Sequence, residues 1–207
     1  MSEEFDVEDA IKIVLLGESG VGKTNLINVA TGKPFDKNSN SSISSSFIRG
    51  TYKVGDKEYI YFLWDTAGQE SYRALNRIFI KNSKVVIFVY SIDSYQSFKE
   101  LDYWIDVAKE ELSEEPIFAI LGNKADLFEE QEVNDEEAKQ YAKDHDMKIK
   151  ITSALSDQTG VKKYLDELIL DYIKKVDPDY KGELNNHEDK KIVISPLKMA
   201  KKKKKCC

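Results

Sequence analysis

A mostly parallel α/β sandwich is the fold this sequence predicts, and three observations predict it. Short apolar runs recur at residues 11–16, 85–90 and 116–121, the mark of strands buried on both faces. Segments with apolar residues at helical spacing separate them, so strands alternate with helices. The first run leads straight into Gly17-Glu18-Ser19-Gly20-Val21-Gly22-Lys23-Thr24, and a helix-like segment follows at 25–30. That octapeptide fits the G-x-x-x-x-G-K-[ST] phosphate-binding pattern in its strand–loop–helix setting.

Each residue type in the loop has a chemical reason. Gly17 and Gly22 let the backbone turn tightly, so that its N–H groups can surround phosphate oxygens. Lys23 brings a mobile positive charge for β- and γ-phosphates, and Thr24 a hydroxyl for Mg²⁺. The helix that starts there, with Asn25, points its positive end at the anion.

Further along, residues 33–46 are polar, serine-rich and without a period, which predicts a loop. Residues 47–54 and 58–64 are rich in aromatic and β-branched residues around Gly55-Asp56, a hairpin of two antiparallel strands. Residues 65–78 read as irregular. A single helix is expected over 94–112, where Phe98, Leu101, Trp104, Ile105, Ala108 and Leu112 keep helical spacing. Asn134-Asp135-Glu136-Glu137 resembles a capping box opening a helix to Asp144. A last short strand is expected at 148–152. Val161, Leu165, Leu168, Ile169, Ile173 and Val176 mark the final helix. The sheet is then mostly parallel with one antiparallel edge strand, and ligands bind beyond the carboxyl ends of its strands.

The 207 residues, 41% apolar, suit one domain at 9–176 with an acidic tail at 1–8 and a flexible tail at 177–207. A net charge of −6 argues against a general nucleic-acid binder. The charge is uneven: six lysines and no acid follow residue 197, leaving −12 on residues 1–197. No signal peptide or membrane-spanning run is visible. The only cysteines, Cys206 and Cys207, end the chain, so no disulfide framework is expected.

Three later stretches name the nucleotide. Asp65-Thr66-Ala67-Gly68-Gln69-Glu70 stands where a strand runs out. Asp65 can hold Mg²⁺ through water, and Gly68 offers an N–H to a γ-phosphate. In Asn123-Lys124-Ala125-Asp126, a carboxylate can accept from both N1–H and the N2 amino group of guanine. Adenine has no such donor pair. In Thr152-Ser153-Ala154, the Ala154 N–H can meet guanine O6.

In this order, each after a strand, the motifs resemble the small GTPases of the Ras superfamily, and Trp64 before Asp65 is similar to the Rab form. The resemblance implies a P-loop NTPase G domain of six strands and five helices, with helices on both faces and a nucleotide-dependent switch. It places Phe35 against the guanine, with Lys124, Ser153 and Leu155 also around the nucleotide. It places Ser42 at a first-switch hydroxyl position that reaches Mg²⁺, and Phe47, Trp64 and Phe79 on an effector surface. Gln69 would orient the attacking water, with Lys23 stabilising charge. Ser42 for Thr, Ser71 for Arg and Leu155 for Lys depart from the family pattern. None of the three arginines, Arg49, Arg73 and Arg77, precedes Ser42, so turnover is expected to be slow without a GTPase-activating protein. An exchange factor is the other implied regulator.

The ending Lys201-Lys202-Lys203-Lys204-Lys205-Cys206-Cys207 resembles a Rab terminus. It implies geranylgeranylation of both thiols and residence on the cytoplasmic face of an intracellular membrane, cycling with the cytosol. Lipid and lysines together supply the two signals that stable anchoring needs. Ile192-Val193-Ile194 and Leu197-Lys198-Met199 are apolar spots through which a Rab escort protein and a GDP-dissociation inhibitor would dock. The function implied is a switch in vesicle traffic, the alternative a nucleotide-locked adaptor of the same fold.

Overall fold

The computed structural model describes residues 10–37, 46–55, 57–66, 73–113, 116–177 and 180. Strands β1 (Ile11–Leu16), β2 (Ser46–Val54), β3 (Lys57–Asp65), β4 (Val85–Ser91), β5 (Ile117–Asn123) and β6 (Lys148–Ile151) form one sheet. Their spatial order is β2-β3-β1-β4-β5-β6. Among the described residues only the β2–β3 hairpin is antiparallel; the other four pairings are parallel. The predicted sheet, with its antiparallel edge, is the one observed.

Alternation along β1 divides the core. Ile11, Ile13 and Leu15 join Leu26 and Ile27 of α1 (Lys23–Ala30) and Leu165, Leu168 and Ile169 of α6 (Gln158–Val176). Val14 and Leu16 point the other way, into a second cluster. There they meet Ile80 of α2 (Arg73–Ile80), Phe98 of α3 (Tyr95–Lys99), Trp104 of α4 (Leu101–Glu111) and Ala138 of α5 (Asp135–Asp144). Both faces of the sheet are therefore covered, which is why its central strands are near-continuous apolar runs.

Three expectations are corrected. Residues 65–78 are not irregular throughout, because α2 begins at Arg73. The helix over 94–112 is two helices that meet at Glu100, where ψ is −7°. The Ser97 hydroxyl donates to the Ser94 carbonyl 2.7 Å away and accepts the Ser91 N–H at 3.0 Å, tying the short first helix to the end of β4. With that break there are six α-helices among the described residues where the resemblance implied five, plus a 3₁₀ segment over Ala125–Glu130. Among the described residues no helix is long and apolar enough to cross a membrane.

The capping box is half formed. Asn134 accepts from the N–H groups of Glu136 and Glu137, at 2.8 and 3.4 Å. The Glu137 carboxylate, however, accepts from the Tyr95 hydroxyl at 2.8 Å, pinning α5 to α3. Asn134→Ala should cost about 1 kcal/mol of stability, the usual worth of an N-cap. Urea unfolding would read it, and a loss below about 0.3 kcal/mol would mean that the cap is redundant.

Candidate functional site

Parallel strands deliver their carboxyl ends to one edge, and four of those ends carry the motifs. The loop after β1 wraps Lys23, whose Nζ donates to the carbonyls of Gly17 and Glu18, both at 2.8 Å. Lys23 is only 6% exposed. Burial pulls its ammonium down to about 8, against the upward pull of Asp65 and Glu18. Such a lysine lacks a full counter-charge, and an anion would provide one.

Gly22 stands at the N-cap of α1 in the left-handed region (φ 93°), with no side chain capping the helix and no acid in its first turn. The first amides of α1 are thus left facing the loop, as a phosphate site requires. Gly22 could carry no Cβ here, because the Asn123 amide fills that space.

Asn123, the last residue of β5, joins the loops. Its Nδ2 donates to the Val21 carbonyl at 2.8 Å, and its Oδ1 accepts the Ala154 N–H at 3.1 Å. Val21 itself is buried in the α1 side of the core, so Asn123 grips a fixed point. Next to it, Asp126 accepts a short hydrogen bond from the Ser153 hydroxyl. Ser153 Oγ in turn accepts from Leu155 and Ser156 N–H groups, each at 3.0 Å. Asp126 and Ala154 therefore share one rigid corner, with Leu155 half-exposed at its rim.

Thr24 donates from Oγ1 to Asp65 Oδ2 at 2.8 Å, and Asp65 is 4% exposed. A hydroxyl and a carboxylate are hard oxygen donors of the kind Mg²⁺ takes. Among the described residues no cluster of three or more His, Cys, Asp or Glu forms.

Asn25 spends its side chain on structure: it exchanges two hydrogen bonds with the Asp36 backbone, at 2.9 and 3.0 Å. This anchors the segment bearing Phe35, which packs half-buried against the α1 side of the core. On the other rim, Phe47 and Trp64 stack at 4.9 Å between ring centroids, and Trp64 and Phe79 at 5.7 Å. Phe47 is 38% exposed, and the Lys12 ammonium lies 4.9 Å above the Trp64 ring. Ser42, Gly68, Gln69, Cys206 and Cys207 lie outside the described residues.

Two contributors escaped the sequence reading. Thr66 donates its hydroxyl to the Leu15 carbonyl at 2.6 Å, locking the ends of β3 and β1 together. Asp93, just past β4, accepts a short hydrogen bond from Ser91 and pairs with Lys124 at 3.3 Å. Burial works to raise the Asp93 pKa, but the Ser91 hydroxyl and the Lys124 ammonium outweigh it and keep the carboxyl below its ordinary range. Its position beyond a parallel strand's carboxyl end was the available signal.

A phosphate loop at the carboxyl edge of such a sheet defines a P-loop nucleotide-binding protein. A family model described as the Ras family matches residues 12–174. Ras-related protein RABA1b of Arabidopsis thaliana is 32% identical over 209 residues, covering 99% of this chain and 96% of that protein. Ras-related protein Rab-21 of Geodia cydonium is 36% identical over 165 residues, with 80% and 70% covered. Ras-related protein rab-11.1 of Caenorhabditis elegans is 30% identical over 181 residues, with 87% and 85% covered. The chain belongs to the Rab branch of the Ras family of small GTPases.

Proposed function

We propose that this chain binds GTP and GDP with Mg²⁺, hydrolyses GTP slowly, and serves as a membrane-anchored switch in vesicle traffic. The observation that carries the reading is the Asn123 bridge. Through one buried amide it ties the loop suited to phosphate to the corner suited to guanine, 102 residues apart in sequence. Asp126 would accept from guanine N1–H and N2, the Ala154 N–H would meet O6, and Phe35 would cover the base. Thr24 and Asp65, with Ser42, would hold Mg²⁺, which supplies positive charge to the β- and γ-phosphate oxygens when bound.

Hydrolysis would be an in-line attack by water on the γ-phosphate. Gln69 would orient that water, and Gly68 N–H, Lys23 and the first amides of α1 would stabilise the charge that develops. Arg77 donates from Nη1 to Glu110 at 3.0 Å and Glu111 at 2.9 Å, so it is committed to α4 rather than to a phosphate. That supports dependence on an activating protein, which adds about 10³–10⁵ in rate. Release of the γ-phosphate would loosen the segments around Ser42 and Gly68 and alter the Phe47–Trp64–Phe79 surface shown to effectors. Geranylgeranyl groups on Cys206 and Cys207, with the terminal lysines, would hold the switch on its membrane. An escort protein and a GDP-dissociation inhibitor would shield those lipids, and an exchange factor would reload GTP.

The test is single-turnover GTP hydrolysis with Mg²⁺, wild type against Gln69→Leu. Slow hydrolysis that the substitution cuts at least tenfold is expected. Tight GTP binding with equally negligible hydrolysis in both would favour the locked adaptor, and tighter binding of ATP than GTP would overturn the guanine reading.

Lys23 adds a pH signature. Phosphate oxygens stabilise its ammonium, so nucleotide binding raises a pKa that is about 8 beforehand. Affinity should weaken as pH rises through 8, and binding at pH 8–9 should take up a fraction of a proton. Calorimetry in buffers of different ionisation enthalpy reads this directly. Lys23→Met should abolish the uptake.

A further inference from the structure

We infer that Asp93 is a positioning residue for the nucleotide, acting through Lys124. The inference rests on the guanine-nucleotide reading above and adds to it a residue outside the four motifs.

The carboxylate is held from two sides. Ser91, 1% exposed, donates its hydroxyl to Asp93 Oδ1, while Asp93 Oδ2 faces the Lys124 ammonium at 3.3 Å. The backbone that presents Asp93 is pinned as well. The Ile92 N–H donates to the Asn123 carbonyl at 3.0 Å, and the Ile92 carbonyl accepts from Glu132 and Val133 at 2.8 and 3.1 Å. The Ser91 N–H is held by Ser97 Oγ. Lys124 meets this fixed carboxylate from a left-handed backbone (φ 64°), stepping between Asn123 and Asp126.

A lysine tethered at its head presents its four-carbon stem as a wall. Placed between the amide that grips the phosphate loop and the carboxylate suited to guanine, that wall borders the base. Untethered, the same stem keeps rotamer freedom that binding must remove. Asp93 thus pre-organises Lys124, and its effect should appear in how long the nucleotide stays.

The experiment uses the full chain with Mg²⁺ and N-methylanthraniloyl-GDP as probe. Asp93→Asn is near-isosteric, keeps an acceptor for Ser91 and removes the charge. It should speed dissociation about five- to tenfold with association within twofold. Ser91→Ala should speed it about two- to threefold. Asp93→Glu, which restores the charge, should return most of the wild-type dwell time. In a Lys124→Met background Asp93→Asn should add nothing. An equal acceleration in that background, or failure of Asp93→Glu to rescue, would overturn the positioning role. Tight wild-type binding with an unchanged rate in Asp93→Asn would overturn it too, leaving the guanine reading intact. Failure of the wild type to bind the probe would overturn the guanine reading itself.

Discussion

Asn123→Ala should lower GDP affinity at least a hundredfold and destabilise the nucleotide-free protein by about 3–5 kcal/mol. Both effects come from one amide. Its removal leaves the Val21 carbonyl and the Ala154 N–H without their partners at 2.8 and 3.1 Å, in a place where Asn123 itself is 2% exposed. Each orphaned buried group costs about 1–3 kcal/mol. The affinity loss follows because the phosphate loop and the guanine corner would no longer share a fixed distance, and a misplaced site loses the benefit of pre-organisation. Urea unfolding and calorimetric GDP titration separate the two terms. Asn134→Ala is the control, since it removes a cap and should leave GDP binding untouched. Binding by Asn123→Ala within threefold of wild type would mean that the bridge is ornamental.

Gly17→Ala should be the most damaging single methyl in the loop. Gly17 has φ 152°, and a Cβ there would overlap the Val89 carbonyl oxygen. That oxygen belongs to β4, whose pairing with β1 runs in register from Ile13↔Val85 to Leu16↔Phe88. Relief would require parting two central strands, so we expect a loss of about 3–5 kcal/mol, a drop in Tm of roughly 6–20 °C. Gly20→Ala isolates the backbone component, because Gly20 has φ 79° and nothing within 4 Å of an added Cβ. It should cost only about 1–2 kcal/mol. Similar losses at the two glycines would show that strain, not the collision with Val89, governs the loop.

The strands were legible because covering both faces of a parallel sheet leaves apolar runs, and the phosphate motif was legible because it is contiguous. Helix α2 was less legible, since only Leu75, Ile78 and Phe79 carry its helical spacing, a single turn directly after a loop motif. Ile78 is 62% exposed while its neighbour Ile80 is buried. The break at Glu100 carries no glycine or proline; it follows from a serine network that only the fold assembles. Within the site, Asn123 and Asp126 could be picked out by type and spacing. Their partners could not, because Val21 and Ser153 become neighbours only when β1, β5 and β6 are aligned. Asn25 shows the limit of position alone: it lies beside the phosphate loop, yet its side chain works on the Asp36 backbone.

The sheet order has a consequence for the life of the protein in a cell. With β1 in the middle, paired to β3 and β4, the loop after it gains its neighbours only when residues as distant as Leu15, Thr66, Asn123 and Ala154 have converged. Non-local pairing of this kind is intrinsically slow to form and exposes unpaired edges on the way. A ligand that recognises only the converged state adds to stability by mass action, about 4 kcal/mol when present at a thousand times its Kd. Substitutions that merely weaken nucleotide binding would then also lower abundance, as more chains stand open to proteases.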